Sequence, residues 1–98
     1  MNYFSELKGK KVLVVGGSKG IGKDIALAFV QLGADVIITG RNEEDLQKTT
    51  GELIEFNPNC SYLIADIQNV NQIYSMVDQA YKRLGRIDIH ICCNRRIW

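Results

Sequence analysis

Three glycines, Gly16, Gly20 and Gly22, follow the run Val12-Leu13-Val14-Val15 at Gly-x-x-x-Gly-x-Gly spacing, and a helical pattern begins at once. A strand that reverses tightly into a helix needs positions without a Cβ, and so does a backbone that must approach a pyrophosphate. The helix start adds free N–H groups and the positive end of its dipole. The segment Gly16-Gly17-Ser18-Lys19-Gly20-Ile21-Gly22 therefore reads as a phosphate-binding turn. Glycines alone would mark only a flexible loop; here strand, turn and helix fall in the order that the mechanism requires.

The chain around this turn has 98 residues, 46% of them hydrophobic and 23% charged, which suits one domain spanning 1–98. A net charge of +1 gives no electrostatic footprint for nucleic acid, and the clusters Lys8, Lys10, Lys11 and Arg95, Arg96 read as solvated ends. No apolar run approaches the roughly 20 residues that a membrane span needs, and charges interrupt the stretch from Met1 to Lys11 where a signal peptide would be apolar. The expectation is a cytoplasmic protein without nucleic-acid or membrane partners. Cys60, Cys92 and Cys93, with the single histidine His90, form neither a disulfide framework nor a zinc-binding spacing. On a strand the adjacent pair Cys92-Cys93 would point to opposite faces, which disfavours a bridge.

Periodicity supplies the elements that would hold the turn. Ile21, Ile25, Phe29 and Leu32 recur at helical spacing, and Gly33 stops the helix. Val36-Ile37-Ile38 is a β-branched run without alternation, as in a strand buried on both faces, and it ends near Gly40. Asn42 is placed to cap a second helix whose positive end suits Glu43, Glu44 and Asp45; the trio reads as helix chemistry, not as catalytic carboxylates. Leu46, Leu53 and Ile54 give that helix its apolar stripe, and Asn57-Pro58 ends it. Ser61 to Ile67 reads as a third strand and Asn69 to Arg83 as a third helix, with Ile73, Val77, Ala80 and Leu84 along one side and Gly85 as its stop. Tyr74 and Tyr81 share a helix face and, with no base beside them, read as amphipathic packing. Ile87, Ile89 and Ile91 begin a fourth strand. The alternation predicts an α/β fold, half of a doubly wound sheet with four parallel strands in the order 3-2-1-4 and three helices.

With these elements in place, four motifs together resemble the N-terminal half of the short-chain dehydrogenase/reductase family. They are Gly16-Gly17-Ser18-Lys19-Gly20-Ile21-Gly22, Thr39-Gly40-Arg41-Asn42, Ala65-Asp66-Ile67 and Leu84-Gly85-Arg86-Ile87-Asp88-Ile89. The resemblance runs from Leu7 to Ile91 and implies part of a Rossmann-type three-layer sandwich that binds a dinucleotide. By resemblance, Ser18, Lys19, Gly20 and Ile21 surround the cofactor's phosphates, Asp66 and Ile67 meet the adenine, and Gly16, Gly22, Arg41 and Asn42 complete the cofactor-binding set. An acid about 20 residues after the glycines would bind both ribose hydroxyls of NAD, whereas a 2′-phosphate needs a cation. Gly40 leaves that acidic position empty, while Arg41 follows it and Lys19 stands nearby, so NADP is the expected cofactor and NAD the alternative.

The resemblance also implies what is missing. The family's acid/base tyrosine is followed four residues later by lysine, but here Tyr3, Tyr62, Tyr74 and Tyr81 are followed by Leu7, Asp66, Asp78 and Gly85. A carbonyl would have no positioned proton donor, so the chain is expected to bind a dinucleotide without transferring hydride on its own. Where the family has Asn-Asn-Ala-Gly, this sequence has Cys92-Cys93-Asn94-Arg95, then Arg96-Ile97-Trp98. One codon choice for Cys93 through Trp98, started one base later, reads Val-Thr-Gly-Gly-Tyr-Gly, so a frameshifted or truncated continuation is expected. An uncovered fourth-strand edge would then favour a homo-oligomer, and the alternative function is a non-catalytic, self-associating module.

Overall fold

A computed structural model of the chain describes residues 6–93. The readings of Tyr3 and of Asn94 to Trp98, including the end of the pattern break, lie outside the described residues. A helical turn ending near Leu7 leads into β1 (Lys11–Val15), then α1 (Gly20–Gln31), β2 (Asp35–Gly40), α2 (Glu43–Ile54), β3 (Ser61–Ile64), α3 (Val70–Leu84) and β4 (Ile89–Cys92). The four strands form one parallel sheet in the order β3-β2-β1-β4, as the alternating pattern predicts. Val12 stands opposite Val36 on one side and Ile89 on the other. All four strands therefore end on the same side of the sheet, where open α/β folds bind ligands.

Two layers of helix cover the sheet. On one face Val12, Val14, Val36 and Ile38 pack with Ala26 and Val30 of α1 and with Leu46 and Leu53 of α2. On the other, Leu13, Val15, Ile37 and Leu63 pack with Met76 and Ala80 of α3. Cys93 joins the first cluster and Cys92 the second, so the adjacent thiols do lie on opposite faces; all three cysteines are free. Burial raises the pKa of the Cys60 and Cys93 thiols, keeping them protonated at neutral pH.

Several faces differ from the sequence reading. The inward side of α1 is Gly22, Ala26 and Val30, while Ile21 is 69% exposed. The cause is close approach: a Cβ on Gly22 would lie 2.2 Å from the Gly16 carbonyl oxygen, so small residues must face inward. Along α2, Thr49 and Thr50 are buried and Ile54 is exposed; along α3, Met76 replaces Val77 as the inward residue beside Ala80. Tyr74 and Tyr81 are 71% and 56% exposed, so they share a face but do not pack into the core. The third strand stops at Ile64, which leaves Ala65, Asp66 and Ile67 in a loop. Lys11 is not a solvated end: its ammonium pairs with Asp35, beside amides from Asn57 and Asn59. Burial alone would raise the pKa of the Asp35 carboxyl, but these partners outweigh it and hold it below its ordinary value.

Candidate functional site

The ends of β1, β2 and β3 enclose a cleft of about 220 Å³. Its first wall is the glycine turn. Gly16 takes a left-handed φ of +86°, and the Gly16 and Gly17 N–H groups donate to the Thr39 carbonyl at 2.9 and 3.3 Å, tying the turn to β2. Thr49 Oγ1 of α2 donates to the Ser18 carbonyl at 2.9 Å and fixes the turn from the other side. Gly20 then opens α1 at φ +57°, and nothing lies within 4 Å of where its Cβ would be.

The start of α1 is unlike those of its neighbours. Asn42 and Asn69 cap α2 and α3 through side-chain oxygens, accepting from Asp45 N and Gln72 N at 3.1 and 3.2 Å. At α1 the capping position is Lys19, which makes no side-chain cap bond, and the first turn holds no acid. The positive end of that helix is thus uncompensated by its own residues, which suits an anion.

The second wall is the end of β2. Gly40 offers backbone only, Arg41 is exposed on the rim, and Thr39 is wholly buried, with no hydrogen-bond partner for Oγ1 among the described residues. The Lys19 ammonium is 3.1 Å from the Asp45 carboxylate, and both residues line the cleft. The third wall follows β3. Ala65 N donates to the Gly40 carbonyl at 2.8 Å, and the Asp66 carboxylate accepts from Gln68 N at 3.0 Å in a local turn. Asp66 is therefore a turn residue, while Asn69 is the cap of α3.

Of the residues expected to contact a dinucleotide, Gly16, Ser18, Lys19, Arg41, Asn42, Asp66 and Ile67 line this cleft together. Gly20 lies in an adjoining hollow, Ile21 is exposed, and Gly22 serves the packing of α1 against the turn. Sequence reasoning missed the place of Asp45 in the cleft. It stands three residues after the Asn42 cap, within reach of the helix start, but nothing in the acidic trio distinguished it from Glu43 and Glu44. It also missed Thr39, whose burial follows from the sheet and not from its residue type.

Among the described residues no group of three or more His, Cys, Asp or Glu side chains could hold a metal ion, and no helix is long and apolar enough to cross a membrane. The profile of the short chain dehydrogenase family matches residues 10–93. The human protein named short-chain dehydrogenase/reductase 3 is 33% identical over 85 residues, covering 86% of this chain but 28% of that protein. A 3beta-hydroxysteroid dehydrogenase 2 from Eggerthella lenta is 34% identical over 83 residues, covering 85% of this chain and 32% of its own length. Among solved structures, a short chain dehydrogenase from Bacillus anthracis superposes with a TM-score of 0.79 at 38% identity, over 86% of this chain and 35% of that one. An actinorhodin polyketide ketoreductase variant solved with NADPH gives 0.80 at 30% identity, over 85% and 32%. The chain thus spans about a third or less of the length of these relatives.

Proposed function

The chain belongs to the short-chain dehydrogenase family, and from that premise we propose that its cleft binds the adenosine half of NADP(H), with the pyrophosphate at the start of α1. The observation that carries this reading is the end of β2, where the chain offers no acid at Gly40 but has two cations, Arg41 and Lys19, at the rim. The structure fits the group. Glycine at 16 and 20 keeps the turn clear of Cβ atoms, α1 lacks a side-chain cap, and the cleft's volume is below the roughly 300–1,000 Å³ usual for a whole drug-sized ligand, as suits one half of a dinucleotide. Backbone N–H groups at α1 would hold the pyrophosphate, Arg41 and Lys19 the 2′-phosphate, and Asp66 and Ile67 the adenine edge and face. When bound, the nicotinamide would supply or accept hydride. This chain's own part is binding and orientation, since it contains no Tyr-x-x-x-Lys to hold and move the proton. The test is a fluorescence titration with NADPH and NADH: NADPH should bind at least tenfold more tightly, and equal dissociation constants would overturn the assignment. No carbonyl substrate should be reduced when this chain is the only protein present, and turnover that follows it through gel filtration would refute that.

Self-association through β4 is a second reading, supported by a difference between the two sheet edges. At β3 the guanidinium of Arg83 donates to the Tyr62 carbonyl at 3.0 Å and reaches Ser61 Oγ at 3.3 Å, so a side chain already occupies part of that edge. Among the described residues no strand or side chain does the same along the outer edge of β4, where Ile89 and Ile91 are only partly buried. An open edge of this kind favours pairing with a second copy.

A further inference from the structure

We propose that Asp45 is a positioning residue that competes with the dinucleotide's 2′-phosphate for Lys19, and so narrows the site's preference for the phosphorylated cofactor. The inference rests on the dinucleotide reading of the cleft and concerns how that site is tuned. Asp45 is the fixed member of the pair. Its backbone N–H is bonded to the Asn42 side chain at the first turn of α2, and its own side chain is 29% exposed. Lys19 is the movable member, a flexible stem that is 75% exposed and that touches a single carboxylate at 3.1 Å. Arg41 makes no ion pair among the described residues, so one rim cation is uncommitted and the other is already partly neutralised.

A phosphate that enters between Arg41 and Lys19 must therefore draw the ammonium away from Asp45 or share it. Pre-ordering of Lys19 by Asp45 would work the other way, but one contact to so exposed a side chain orders it little. Neutralisation wins, and removing the carboxylate should strengthen phosphate binding. Asparagine at 45 keeps the shape and the backbone bond to Asn42 while removing the charge.

The experiment titrates NADPH and NADH into the parent chain, Asp45→Asn, Lys19→Ala and the double variant at low ionic strength, with circular dichroism confirming the fold of each. Asp45→Asn should tighten NADPH binding about two- to fivefold, the scale of an exposed ion pair, with a smaller change for NADH. In the Lys19→Ala background the same substitution should gain less than about twofold, because there is no ammonium left to release. A gain of equal size in that background would mean that Asp45 acts on the phosphate directly and would overturn the proposal; so would weaker or unchanged NADPH binding by Asp45→Asn. A parent chain that binds neither dinucleotide would instead overturn the reading of the cleft itself.

Discussion

Replacing Gly40 by aspartate would return a carboxylate to the end of β2, and the structure has room for it. A Cβ at this position would lie 3.4 Å from Ser18 Oγ and 3.5 Å from Leu46 Cδ2, both ordinary contacts, and the backbone is not in the left-handed region. Glycine is therefore not demanded here by packing or by conformation. If the cleft holds the adenosine ribose, the new carboxylate would accept from its hydroxyls, and a hydrogen bond to a charged group contributes about 1.5–3 kcal/mol, or roughly tenfold or more in NADH affinity. The same carboxylate would repel a 2′-phosphate. Unit charges 4 Å apart interact by about 1 kcal/mol in bulk water, so a phosphate carrying nearly two charges should lose about 2 kcal/mol, or about twenty- to thirtyfold. The two effects add in the ratio, and Gly40→Asp should turn a preference for NADPH into one for NADH. Paired titrations by fluorescence or calorimetry read this directly. A folded Gly40→Asp variant that keeps the parent's NADPH-to-NADH ratio would show that the ribose does not sit at the end of β2.

Arg41→Ala should weaken NADPH binding about tenfold, the scale of one charge-assisted phosphate contact, and leave NADH nearly unchanged; equal losses for both would refute its assigned role. The glycines should separate by assay. Gly22→Ala forces a Cβ against the Gly16 carbonyl and should cost about 1–3 kcal/mol, seen as a melting temperature lower by several degrees, whereas Gly20→Ala has open space at its Cβ but a left-handed φ of +57°, so it should lose dinucleotide affinity at a conformational cost of about 1 kcal/mol. Because Asp35 is held below its ordinary value of 3.8, its stabilising contribution is complete above that pH and is lost as the pH falls through the lower folded value. Acid denaturation of Asp35→Asn should accordingly be less steep than that of the parent, and identical slopes would count against the Lys11–Asp35 pair. Light scattering at micromolar concentration should give at least a dimer mass, reduced by Ile89→Lys; a stable monomer would rule out pairing through β4.

The sheet was legible because β1 and β2 are dense apolar runs and strands alternate with helices, so strand order followed from the crossovers and from the position of the glycine turn, while the end of β3, a short strand with mixed residues, was read three residues too far. The helix faces were less legible. Spacing placed Ile21 on the inner side of α1, but contact with the turn is so close that Gly22 and Ala26 must take that place, and no pattern of hydrophobicity announces a contact that favours small residues. Asp66 shows the same limit at the site. The resemblance set it against the adenine, and only the fold shows that its carboxylate accepts from Gln68 N in a local turn while Asn69 caps α3.

Charge was the least legible feature, and it matters most for what the cleft can bind. The sequence displays Lys19 and Arg41 as two cations near a missing acid, which suggests a wholly positive rim. Folding changes that sum, because α2 starts two residues after Arg41 and its first turn brings Asp45 to Lys19. The acid absent from the end of β2 is thus partly replaced by one from the next helix, held at a different angle and bonded to a cation. A carboxylate at Gly40 would meet the ribose itself, whereas Asp45 acts through a lysine that can leave it. The first arrangement would exclude a 2′-phosphate and the second only taxes it. If the cleft binds NADP(H), the Lys19–Asp45 pair would trim a preference whose larger part comes from the empty position at Gly40 and the uncommitted Arg41.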